Sequence, residues 1–137
     1  MKNKIFIFDL DDTLYKEIDF LYSAYREIAG WIELKFSLKG IYAFMLETYK
    51  EQADVFSRLI DTYDLSLTKA DLLSIYRSHR PNIRLELDTL KALEVLKQDF
   101  ILGMITDGRS ITQRNKFQAL GIEQFIENEN LVISEEI

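Results

Sequence analysis

"IFIFDLDDTLY", Ile5–Tyr15, runs four apolar residues into three carboxylates within four positions, Asp9, Asp11 and Asp12. Ile5–Phe8 are strand formers, and so short an unbroken apolar run suits a strand covered on both faces. Three acids crowded at its end repel one another, and burying any of them unpaired costs several kcal/mol. A cation, or a substrate that arrives with one, removes that penalty.

The rest of the composition narrows the classes that could use such a site. The 137 residues, 47% hydrophobic, fit one compact domain or a small domain carrying an insertion. A net charge of -6 and a pI near 4.8 argue against nucleic acid or an anionic membrane as partner. With no cysteine, disulfides and thiolate metal sites are excluded. "MKNK" leads into too short an apolar run for a signal peptide, and no stretch approaches the roughly 18 apolar residues of a membrane span. A cytoplasmic protein is expected.

From Lys16 to His79 the periodicity is helical: Ile18, Leu21, Tyr22, Tyr25, Ile28, Ala29 and Ile32 follow the spacing of an amphipathic helix. Gly40 interrupts, further apolar stripes follow, and Thr68–Asp71 has capping-box spacing. The only proline, Pro81, closes this block. Asp88 is then placed to cap a helix carrying Leu90, Leu93 and Leu96. The strand "FILGMI", the loop "TDGRS", a helix "ITQRNKFQAL" capped by Ser110 and a last strand "LVIS" follow. Strand, helical insertion, then helix–strand–helix–strand predicts right-handed crossovers and a parallel sheet within a three-layer α/β core. Ligands bind at the carboxyl ends of such strands, so Asp9, Asp11 and Thr13 should share a rim with Thr106, Asp107 and Gly108.

"FDLDDTLY" resembles the first motif of the haloacid dehalogenase (HAD) superfamily, Asp-x-Asp-x-Thr after a hydrophobic strand, and "ITDG" is similar to its second. The resemblance covers essentially the whole chain. It implies a Rossmannoid parallel-sheet core, residues 1–15 and 81–137, with a helical cap inserted over residues 16–80. It further implies Mg²⁺-dependent hydrolysis of a small phosphorylated metabolite. By motif position Asp9 would be the nucleophile that becomes an aspartyl-phosphate, and Asp11 the general acid and base. Asp9 and the backbone carbonyl of Asp11 would hold Mg²⁺, while Thr106 and the amides of Asp107 and Gly108 would bind the phosphoryl oxygens. Dehalogenating members lack an acid at the position of Asp11, so its presence points to phosphate esters.

Other residues have plainer readings. Asp12 should support the turn or cap a helix, and Thr13 bonds its own loop as readily as a substrate. His79 is expected at the surface or hinge, Arg77, Arg80 and Arg84 on a solvated face, and Phe20, Tyr22, Tyr25, Trp31, Phe44 and Phe56 in the cap core. A response-regulator receiver fits poorly, because "LVISEEI" lacks the acid that would be phosphorylated there. The resembled family places a lysine loop and a further metal-binding acid beyond the position of Ile137. Lys116, in the helix after the second loop, reads as a solvated charge and not as a substitute for that lysine. The chain is therefore expected to turn over weakly or not at all, and to self-associate through an exposed first strand. Binding of metal, phosphate or a partner without efficient turnover stands as the alternative.

Overall fold

The computed structural model describes residues 2–137. The chain order is β1 (Ile5–Phe8), α1 (Glu17–Phe36), α2 (Ile41–Lys50), α3 (Val55–Tyr63), α4 (Lys69–Ser78), α5 (Leu87–Asp99), β2 (Ile101–Thr106), α6 (Ser110–Ala119) and β3 (Leu131–Ile133). One-turn 3₁₀ helices lie at Ile122–Gln124, Asn128–Asn130 and Ser134–Glu136. The chain divides into two compact units, one running to Phe20 and resuming over Arg80–Ile137, the other Leu21–His79.

The first unit is built on a parallel sheet in the order β1-β2-β3, with Ile5 level with Ile101 and Met104 level with Leu131. Both crossovers step in the same direction, and right-handed crossovers of that kind put their helices on one face. Burial agrees: Leu102, Met104, Thr106, Leu131 and Ile133 are covered, and Leu93, Ile122 and Ile126 from the intervening segments are buried as well. The opposite face carries Ile5 (63% exposed), Ile7 (55%), Ile105 (54%), Ile101 and Val132. Among the described residues that face is open to solvent. β1 is an edge strand and not a strand covered on both faces. Its Phe6 and Phe8, on the other side, pack with their rings tilted by 33° and centres 4.9 Å apart, and Phe6 meets Phe100 edge-on.

Two helix starts differ from the reading above. Asp88 lies inside the first turn of α5, whose N-cap is Glu86 without a side-chain bond. Ser110 is the first residue of α6, and its free amide is taken by the distant Glu135. The helix end at Gly121 is as expected, with the glycine at φ +68.

The helical unit has its own core of Ile28, Ile32, Ile41, Met45, Leu59 and Leu72, with Tyr25, Phe56 and Tyr76 in tilted or edge-on ring contacts. Gly40, at φ +76, makes the break between α1 and α2. The Thr68–Asp71 capping box is complete in both directions. His79 is buried, not superficial: its Nδ1 lies 2.8 Å from the Tyr76 carbonyl and its Nε2 3.1 Å from Ser23 Oγ. Among the described residues no helix is long and apolar enough to cross a membrane.

Candidate active site

Because β1 and β2 are parallel, Phe8 and Thr106 end at the same rim, and two polar loops leave from it. The first loop is anchored by Leu10, which is fully buried and accepts the amides of Thr13 (3.2 Å) and Leu14 (3.0 Å). That turn sorts the three acids into different environments. Asp9 is exposed, with Oδ1 accepting the Leu10 N–H at 2.8 Å. Asp12 adopts φ +59 and accepts the Glu17 N–H at 2.9 Å, so it caps α1, one of the structural roles expected of it. Thr13 is exposed on the turn.

Asp11 alone turns inward. Its Oδ1 accepts the Tyr15 hydroxyl at 2.6 Å and the Lys116 ammonium at 2.8 Å. Its Oδ2 accepts the Gln113 amide at 3.0 Å. The same Gln113 nitrogen donates to Thr106 Oγ1 at 2.6 Å, so one carboxamide links the acid of the first motif to the hydroxyl of the second. Burial works against ionising Asp11. The hydrogen bonds from Lys116 and Tyr15, the Lys116 charge and the Gln113 amide outweigh it and hold the carboxyl below its ordinary value.

Lys116 is not a solvated charge. Its side chain is 4% exposed, with Nζ 4.5 Å from the centre of the Phe20 ring. The reason is helical geometry: Gln113, Lys116, Phe117 and Leu120 stand at the i, i+3, i+4, i+7 spacing of a buried face, and all four are buried. Neither Gln113 nor Lys116 was singled out as functional from the sequence. The signal was that half of this stripe is polar, which an ordinary core-facing helix avoids.

The second loop is held from behind. Gly108 sits at φ +147, and a Cβ there would come within 3.0 Å of Gln113 Cγ and Cδ. Its amide donates to Ser134 Oγ at 2.9 Å, and that hydroxyl donates to exposed Asp107 at 2.5 Å. Glu135 accepts the Ser110 amide at 2.9 Å, while Glu136 grips Arg114 through both oxygens, at 2.6 and 2.5 Å. Of the expected site residues, Asp11, Thr106 and Gly108 therefore gather around Gln113, Asp9 stands at the rim, and Asp107 faces Ser134. Among the described residues no three Asp, Glu, His or Cys side chains group as a metal cluster. A cavity of about 230 Å³ borders the first turn through Asp12, Lys16, Arg84 and Glu86, but neither Asp9, Asp11 nor Thr106 lines it.

A parallel sheet with an acid-tipped first strand, a helical insertion directly after it and a hydroxyl closing the second strand makes a Rossmann-like α/β core with its polar loops at one rim. The chain belongs to the haloacid dehalogenase-like hydrolases, whose family model matches residues 6–135. It is 28% identical over 142 residues to a glyceraldehyde 3-phosphate phosphatase of Methanocaldococcus jannaschii, an alignment covering 95% of this chain and 61% of that protein. Solved structures share the fold at lower identity. A Bacillus subtilis protein, YfnB, assigned as a HAD-hydrolase and bound to magnesium, superposes at TM-score 0.62 and 18% identity, covering 99% of this chain and 65% of that one. The 2-haloacid dehalogenase of Pseudomonas syringae pv. Tomato superposes at 0.55 and 19%, with 99% and 65% covered. The chain thus spans just under two thirds of the length of these relatives.

Proposed function

We propose that the chain carries the phosphatase form of this chemistry: Mg²⁺-dependent hydrolysis of a small phosphomonoester in the cytoplasm, through an aspartyl-phosphate on Asp9. The observation that carries the reading is the Gln113 bridge, which brings Asp11 and Thr106 into one hydrogen-bonded unit beside exposed Asp9. The phosphatase relative supports the same substrate class. The acid at position 11 separates it from halide displacement, in which the leaving group needs no proton.

In the first half, an Asp9 oxygen attacks phosphorus, the ester P–O bond breaks, and its electron pair leaves with the alkoxide, which takes a proton from Asp11. In the second, Asp11 removes a proton from water as that water attacks phosphorus. The bond from phosphorus to the Asp9 oxygen breaks, its electron pair returns to the Asp9 carboxylate, and inorganic phosphate leaves. The lowered Asp11 carboxyl suits the second half. For the first, an anionic phosphate placed beside it pushes the carboxyl back up. Thr106 donates to a phosphoryl oxygen. The donor set suits Mg²⁺ in this role: Asp9 offers an exposed carboxylate and Asp11 its carbonyl, while the Asp11 carboxylate is already engaged. Mg²⁺ is held by one or two protein oxygens together with phosphate and water in many sites, and when bound it neutralises phosphate charge. The helical insertion, residues 16–80, is the substrate-selecting cap in this reading.

A second reading, phosphate or metal binding without efficient turnover, is favoured by one feature. Asp11 is saturated by Lys116, Tyr15 and Gln113, and the Gly108 amide is bonded to Ser134. Acetyl phosphate with Mg²⁺, followed by peptide mapping, separates the two. A phosphoryl group on Asp9 that is absent in Asp9→Asn and released by water supports hydrolysis, whereas a phosphoryl group that persists, or phosphate binding alone, supports the second reading. Modification at another residue, undiminished in Asp9→Asn, overturns the assignment.

A further inference from the structure

We propose that Gln113, which belongs to neither motif, is a positioning residue that sets the hydrogen-bond polarity of the site; this rests on the reading of Asp11 and Thr106 given above. A carboxamide nitrogen carries two hydrogens. Here it faces two acceptors, Asp11 Oδ2 at 3.0 Å and Thr106 Oγ1 at 2.6 Å. The opposite orientation of the amide would set Oε1 against the Asp11 carboxylate, and Lys116 at 2.8 Å keeps that carboxylate paired in its ionised form. The amide is therefore oriented by charge.

The consequence falls on Thr106. A threonine hydroxyl has one hydrogen, and an oxygen that already accepts from Gln113 turns that hydrogen away from it. Thr106 is 2% exposed, so few other arrangements compete. The hydroxyl is preset as a donor, which is what a phosphoryl oxygen requires. Preset donors avoid reorganisation when the anion arrives. Gly108 fits the same plan, because its missing Cβ leaves the space that the Gln113 side chain fills.

The experiment measures binding of inorganic phosphate with Mg²⁺ to the full chain and to Gln113→Leu, Thr106→Val and the double variant. Gln113→Leu should weaken phosphate about 10–100-fold, the range of a charge-assisted hydrogen bond. In the Thr106→Val background the same change should add little, because the hydroxyl it orients is gone. A merely structural Gln113 would give equal losses in both backgrounds and overturn the proposal, as would unchanged affinity in Gln113→Leu. No phosphate binding by the unaltered chain would overturn the functional reading, and the role with it. A second measurement does not depend on Gln113→Leu folding. In a nitrogen–proton spectrum, Thr106→Val should move the resonance of one Gln113 side-chain amide proton and Asp11→Asn that of the other. Amide protons that neither substitution moves overturn the proposal on geometry alone.

Discussion

Replacing Lys116 with methionine strips Asp11 of its cation while keeping most of the buried stem. Breaking a buried ion pair from one side costs about 3–5 kcal/mol, because the remaining charge stays desolvated. Two features reduce that figure here. The Asp11 side chain is 21% exposed against 4% for Lys116, so water reaches the carboxylate, and Tyr15 and Gln113 still donate to it. A loss of about 1–3 kcal/mol remains, including the contact between the ammonium and the Phe20 ring. For a chain of this size that corresponds to a melting shift of roughly 4–12 °C. The companion variants sharpen the test. Asp11→Asn leaves the lysine buried without its anion and should also destabilise, whereas the double variant removes both charges and should return to within about 1 kcal/mol of the parent. Urea unfolding of the four proteins measures the cycle. If Lys116→Met is neutral, or the two losses simply add, the pair is not coupled as described and the reasoning fails.

Further outcomes follow from other parts of the molecule. The Asp11 carboxyl titrates below its ordinary value when folded, so the unfolded chain takes up that proton first as pH falls. Its contribution is complete above a pH of about 4 and drains below it, so the stability gap between the parent chain and Asp11→Asn should shrink in acid; a constant gap contradicts this. Burial lowers His79 from 6.5, against the Tyr76 carbonyl and the Glu27 charge, so the helical unit should lose stability as pH drops below that value. A proton NMR titration of this single histidine giving 6.5 or higher would refute it. The aliphatic sheet face and free β1 edge should drive self-association in sedimentation, relieved by Ile7→Lys; a parent chain that stays monomeric at high concentration removes that expectation. Glu135→Gln removes the anion at the start of α6 and should cost about 0.5–1 kcal/mol, read by urea unfolding; no loss would show that the contact is not a cap.

The parallel core was legible because Ile5–Phe8 and Ile101–Thr106 are short apolar runs ending in polar loops, and because the switch to helical spacing between them is abrupt. The capping role of Asp12 followed from its place beside a helix start. What periodicity could not give was tertiary. Which sheet face is covered depends on strand order, so the exposed face of Ile5 and Ile7 was not visible in a run of apolar letters. Lys116 was misread because an isolated lysine on a helix is usually solvated, and only packing against Phe20 and Asp11 shows otherwise. The Glu135 contact with Ser110 spans |i−j| = 25, beyond any local capping rule.

The polar inner face of α6 carries a consequence for how this sequence can change. Replacing a buried charged cluster with apolar side chains of similar volume is often neutral, or stabilising by about 1–4 kcal/mol. For Asp11, Gln113 and Lys116 that is also the replacement that erases the site. A screen that rewards only heat resistance would therefore drift toward leucine and methionine at these positions, and would return a firmer protein with nothing left to do.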